Sequence, residues 1–155
     1  MRRILWVLLW SVFTLAAACS RVPESAPEGV QTPQAAGESG AVVGREITAP
    51  GGTYTDISVG ELQTMLQNKD FTFVNVHIPF EGDIPGTDAS IPYDEIDQHL
   101  DQLPTEKDAK IVLYCRSDRM SHIAAKTLVS LGYTNVWNLD GGFAEWENAG
   151  LPVER

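Results

Sequence analysis

From Thr53 onward, short runs of β-branched and aromatic residues alternate with segments of helical periodicity, and that alternation leaves few architectures open. Tyr54 to Ile57 is the first strand candidate. Ser58 and Glu61 form a capping box that opens a helix, with Val59, Leu62, Met65 and Leu66 on one face. FTFVNV (Phe71 to Val76) predicts a second strand, followed by a Gly/Pro-rich loop from His77 to Ser90 that is too long to be mere connection. Asp94 is placed as the cap of a helix with Ile96, Leu100 and Leu103 inward, stopped by Pro104. IVLY (Ile111 to Tyr114) is apolar throughout, as in strands buried on both faces, and is expected at the centre of the sheet. A helix over Ser121 to Leu131 with Gly132 at its stop, a strand over Asn135 to Leu139, and a helix over Gly142 to Asn148 with Gly150 behind it complete the series. The order predicts an α/β fold, a mostly parallel central sheet with helices on both faces, in which ligands belong at the carboxyl ends of the strands.

The residues ahead of this pattern differ in character. Residues 1–18 read as a secretory signal peptide: Arg2 and Arg3, then the apolar run Ile4 to Leu15, then Ala16, Ala17 and Ala18. The run is shorter than the ~20 apolar residues of a membrane-spanning helix. Cys19 directly after the alanines resembles the lipobox of bacterial lipoproteins, which implies a lipidated cysteine, an exported chain and a membrane anchor in the cell envelope. An ordinary signal peptidase cutting the Ala18–Cys19 bond is the alternative. Residues 19–52 lack periodicity and are rich in proline and glycine, so they are expected to be a flexible tether, with the domain at 53–155 and at most a short edge segment around Val42, Val43 and Ile47.

Charge narrows the partners. The chain carries 11 Lys plus Arg against 21 Asp plus Glu, a net charge of -10, the wrong sign for a nucleic-acid partner. From Thr53 onward there are seven basic residues against 17 acidic ones, yet two of the seven, Arg116 and Arg119, flank one cysteine. Cys115 directly follows the IVLY strand and heads the loop CRSDRMS, with a helix behind it. A helix N-terminus and nearby cations favour a thiolate, so Cys115 is expected to be a nucleophile rather than an inert core thiol. It is not expected to pair with Cys19. Arg116, Ser117, Asp118, Arg119, Met120 and Ser121 are the candidate substrate-binding residues.

The segment from about Tyr54 to Glu154 resembles a single rhodanese domain. Three stretches carry the likeness: the cysteine-headed loop after a central strand, the closing NLDGGFAEWENAGLPV (Asn138 to Val153), and VNVHIPFEGDIPGTDASIP (Val74 to Pro92). The last departs in detail, with Asn75-Val76-His77 where the family commonly has Asp-Val-Arg. The loop departs too, with Asp118 where many members have glycine and Met120 where many have arginine. The resemblance implies a rhodanese-like three-layer fold and a sulfurtransferase that holds sulfur as a persulfide on Cys115, without a cofactor or a metal. A small anionic sulfur donor such as thiosulfate and a thiol or cyanide-like acceptor would be its substrates, and a monomer is expected.

Two rival readings stand beside it. A cysteine phosphatase or arsenate reductase needs an arginine six positions after the cysteine to hold its oxyanion, and that position is Ser121. A catalytically silent binding module would use the same surface without the thiol. His77, Glu81 and Asp83 have no regular ligand spacing. His122, one residue into the helix behind the loop, is a secondary candidate for substrate contact; His99 reads as solvated. Asp140-Gly141-Gly142 reads as a turn and helix cap that borders the loop.

Overall fold

Val112 and Tyr114 of the strand β5 (Ile111–Tyr114) pack on one side of the sheet, Ile111 and Leu113 on the other, and all four are buried. An unbroken apolar tetrapeptide is therefore satisfied only in the interior of a two-faced sheet. The computed structural model describes residues 42–155 and places it there. The sheet comprises β1 (Arg45–Ala49), β2 (Gly52–Ile57), β3 (Thr72–Asn75), β4 (Ala89–Ser90), β5 and β6 (Val136–Leu139), in the spatial order β1-β2-β6-β5-β3-β4. Every pairing is parallel except that of β1 with β2.

Helices cover both faces, as the alternation predicts. The helix α2 (Arg119–Ser130) buries Ala124, Ala125, Leu128 and Val129 against Ile111, Leu113 and Val136. On the other face, α1 (Val59–Leu66) and α3 (Gly142–Asn148) bring Leu62, Phe143 and Trp146 onto Phe73, Val112, Tyr114 and Leu139. The capping box is formed: the Ser58 hydroxyl accepts from the Glu61 N–H at 3.3 Å, and a Glu61 carboxylate oxygen accepts from the Ser58 N–H at 2.9 Å.

Three expectations need correction. The sheet begins at Arg45, inside the stretch 19–52 read as tether and ahead of the boundary near Thr53, because Arg45–Ala49 pairs residue by residue with Gly52–Asp56. Arg45 is fastened by an ion pair with Asp56 at 2.8 Å. No helix forms after Asp94. Ile96–Gln98 and Leu100–Gln102 are separate 3-10 turns, broken at His99 (φ -119°, ψ 34°), and the segment between Pro92 and Pro104 uses its apolar residues to cap the core edge rather than to propagate a helix. The third concerns α2, which starts at Arg119 rather than Ser121, so Arg119 and Met120 belong to its first turn. The signal peptide 1–18, Cys19 and residues 19–41 of the tether lie outside the described residues.

Candidate active site

Cys115 stands at the C-terminal end of β5, where the ends of β3 and β6 flank it on either side. It is an unpaired thiol with only 2% of its surface exposed. Its Sγ lies 3.4 Å from the hydroxyl of Ser121, which is itself fully buried and donates to the Asp118 carbonyl at 3.0 Å. Ser121 thus sits beneath the sulfur as its neighbour in the protein interior.

The loop is shaped from the β6 side. The Phe143 N–H donates to the Cys115 carbonyl at 2.8 Å and the Ala144 N–H to the Arg116 carbonyl at 3.0 Å, so the first amides of α3 hold both carbonyls. This approach requires Gly142. A Cβ there would stand 2.3 Å from the Cys115 carbonyl oxygen, and its φ of +57° is one that L side chains rarely adopt. The Asp140-Gly141-Gly142 turn therefore does border the loop. Among the described residues, no group accepts from the backbone N–H of Arg116, Ser117 or Asp118. Successive unpaired amides beside a helix N-terminus form a concavity suited to an anion.

Asp118 occupies a tight turn of its own. With φ 76° and ψ -47° it is a γ-turn with the Arg119 N–H bonded to the Ser117 carbonyl at 3.0 Å, a rare and strained conformation. Its carboxylate turns away from the sulfur and accepts from the Gly141 N–H at 2.7 Å. Burial pushes the Asp118 carboxyl above the usual range, aided by the charges of Asp140 and Asp56 and opposed by the Gly141 N–H and His122.

A cavity of about 220 Å³ opens over the thiol, lined by His77, Cys115, Arg116, Ser117, Arg119 and Met120. Of the residues singled out around Cys115, the structure brings Arg116, Ser117, Arg119 and Met120 to this cavity. Asp118 and Ser121 are not on its wall; Asp118 lines a separate depression with Ser58, Asp140, Gly141 and Glu145. The two arginines are not equivalent. Arg116 is ion-paired with Glu81, whereas no carboxylate among the described residues lies within ion-pair distance of Arg119. His122 is directed elsewhere, its Nε2 3.4 Å from Asp56 and its ring beside Tyr54.

His77 is the residue that spacing along the chain did not single out for this cavity. It follows β3, the strand next to β5, and the same rule that placed Cys115 at a strand end applies to it. Asn75 positions it: the Asn75 side chain accepts from the His77 N–H at 2.9 Å and donates to the Gly82 carbonyl at 3.0 Å. The far side of the loop hangs on Tyr114, whose hydroxyl accepts from the Ile84 N–H at 3.0 Å and donates to Asp83 at 3.1 Å. Burial pushes that phenol well above its ordinary range.

Residues 58–149 match the family model of the rhodanese-like domain. The chain belongs to the rhodanese-like family. It is 33% identical over 94 residues to a sulfurtransferase of Allochromatium vinosum, a match covering 59% of this chain and 85% of that one. To the thiosulfate sulfurtransferase GlpE of Vibrio cholerae it is 29% identical over 103 residues, covering 65% and 95% respectively. The solution structure of a rhodanese-like domain from Anabaena superposes with a TM-score of 0.57 at 27% identity, over 64% of this chain and 77% of that one. The rhodanese-like α/β fold expected from the sequence is thus the fold observed.

Proposed function

We propose that the protein is a sulfurtransferase that carries a sulfane sulfur on Cys115. The observation that carries this reading is the thiol at the head of a loop whose amides have no acceptor among the described residues, opening onto a cavity lined by Arg119, which has no carboxylate partner among them. The names borne by the Allochromatium and Vibrio relatives agree with it. In the first step the Cys115 thiolate attacks the outer sulfur of a thiosulfate-like donor. A new S–S bond forms, the donor's own S–S bond breaks, and sulfite leaves with the bonding pair. The loop amides and Arg119 hold the anionic end of the donor while the bond changes hands. In the second step a thiolate or cyanide-like acceptor attacks the terminal sulfur and departs with it, restoring the Cys115 thiolate. A protein persulfide serves as donor in the same way. No electron leaves or enters the cycle, so no redox cofactor is required.

Export and lipid anchoring through Cys19 belong to the same proposal and rest on the sequence of residues 1–19. Retention in the detergent phase that is lost in Cys19→Ala tests them. The chemistry is tested by mass spectrometry after incubation with thiosulfate: one additional sulfur atom on the peptide that contains Cys115, absent in Cys115→Ser, is expected. Sulfur transfer undiminished in Cys115→Ser overturns the assignment, and faster turnover of an aryl phosphate than of any sulfur donor replaces it with phosphatase chemistry.

A further inference from the structure

Arg116 directly follows Cys115 and lines the cavity over the thiol, yet its guanidinium is engaged by a carboxylate of the protein itself. Glu81, on the loop after β3, accepts from Arg116 Nη1 through one carboxylate oxygen, Oε2. The rest of the guanidinium donates to nothing among the described residues, so the pair lacks the bidentate form that makes arginine–carboxylate contacts strong. The side chains are 50% and 41% exposed, and ion pairs that wet contribute little to stability. The same Oε2 lies 3.7 Å from Nε2 of His77, a residue of the cavity wall, which places the carboxylate at the rim of the space over the thiol. The backbone of Arg116 is held meanwhile, its carbonyl accepting from the Ala144 N–H at 3.0 Å. The arginine is therefore anchored at its root and lightly tied at its tip.

We propose that Glu81 is a specificity-determining residue of this cavity, an internal competitor that occupies Arg116 until an anionic sulfur donor displaces it. The proposal deepens the sulfurtransferase reading and rests on it for the identity of the donor. Arg119 and the loop amides offer one full positive charge and a set of partial ones, whereas thiosulfate brings two negative charges. The second is matched when the guanidinium leaves Glu81 for the donor. One exposed ion pair opens and another forms inside the cavity, where the planar fork of the guanidinium suits the sulfonate oxygens. The freed carboxylate is already half in water, so its release costs little. No covalent bond and no proton changes place in this exchange. A neutral reactant has nothing to offer Arg116 and leaves the pair closed. Glu81 thus sets how much negative charge a donor must carry to recruit the second arginine.

The test uses the purified full chain at one pH, about 8, and low salt, with Cys115 alkylated by iodoacetate or by iodoacetamide and followed by peptide mass spectrometry. Both probes consume the same thiolate, so the ratio of their rates cancels its reactivity and reports the charge around it. Glu81→Gln is expected to raise the iodoacetate to iodoacetamide ratio about two- to fivefold. The double variant Glu81→Gln/Arg116→Ala removes competitor and cation together and should fall below the wild type. An unchanged ratio in Glu81→Gln overturns the proposal. A double variant equal to the wild type overturns it as well, because Arg116 then serves only to neutralise Glu81 and is never given to the anion. The KM for thiosulfate should fall in Glu81→Gln and rise in the double variant, with kcat changing less. The alkylation ratio does not depend on sulfur transfer. A wild type that acquires no sulfur from thiosulfate, while the ratios keep the expected order, therefore defeats the sulfurtransferase reading alone.

Discussion

Replacing Asp118 in parallel by glycine, alanine and asparagine separates the contributions that its turn combines. Alanine keeps a Cβ at φ 76° and loses the carboxylate that accepts from the Gly141 N–H. Glycine loses the same hydrogen bond but relaxes the backbone. A Cβ in this region costs ~1–2 kcal/mol, offset by up to ~1 kcal/mol for the greater freedom of glycine in the unfolded chain. D118G is therefore expected to be more stable than D118A by roughly 1 kcal/mol. Asparagine keeps an acceptor and tolerates positive φ, so D118N should exceed D118A by about 1 kcal/mol, the net worth of a hydrogen bond to the partly buried Gly141 N–H. Urea unfolding measures the differences, and each kcal/mol corresponds to roughly 4 °C in Tm for a domain of this size. The pH dependence has a definite sign. Because burial raises the folded-state pKa of Asp118, its contribution is fully present below the unfolded value of ~3.9 and is lost as pH rises through the folded one. The wild type should consequently lose ground to D118N as pH rises through the carboxylate range. D118A more stable than D118G would refute the strain argument, and D118N as weak as D118A would refute the role of the Gly141 hydrogen bond.

Gly142→Ala should destabilise the domain by ~2 kcal/mol or more and impair persulfide formation by more than the stability loss explains, since the added carbon meets the Cys115 carbonyl; thermal melts and sulfur loading measured together check this. Arg119→Ala should raise the KM for thiosulfate about two- to fivefold at low salt, with a smaller effect at physiological salt, in steady-state kinetics. Burial raises the Glu61 carboxyl, but the Ser58, Gly44 and Val43 donors outweigh it and hold the group below its ordinary range. Its contribution is thus present above the unfolded value of ~4.3 and lost as pH falls through the folded one, so Glu61→Gln should be less stable near neutrality and less sensitive to acid in a pH series of urea melts.

Much of this fold is legible because its punctuation is local. Glycines at 141 and 150 bracket α3, and its observed span, Gly142–Asn148, is the one the sequence predicts. The tetrapeptide IVLY announces the middle of a sheet by having no polar face. The stretch from Asp94 to Leu103 misleads for a matching reason: its apolar spacing is helical, but the backbone leaves the helical region at His99 and the segment settles into two 3-10 turns that lay Ile96, Leu100 and Leu103 on the core edge. Cys115 is legible because strand, cysteine, cations and helix are contiguous. His77 is not, since its place beside Cys115 arises from β3 and β5 being neighbours in the sheet, and nothing near either residue encodes that adjacency. Nor does the residue type at 116 or 119 reveal that Glu81 claims one arginine and leaves the other.

The entry of the chain into the domain has a practical consequence. The Val43 and Gly44 amides are tied to Glu61, and Arg45 lies opposite Asp56 near the C-terminal end of β2. Glu154 forms a bridge with Asp83, which in turn binds the Tyr114 hydroxyl at the C-terminal end of β5. Residues 42–45 and Glu154 thus lie at the carboxyl ends of the parallel strands, the end that bears Cys115, while the turns at Asp70, Lys107 and Thr134 precede the opposite ends of those strands. A reporter or support attached at Glu154 starts from the same ends of the strands as Cys115. The same group coupled at Lys107 starts from the opposite ends, which makes that lysine the better handle for any measurement of sulfur delivery to a protein-sized partner.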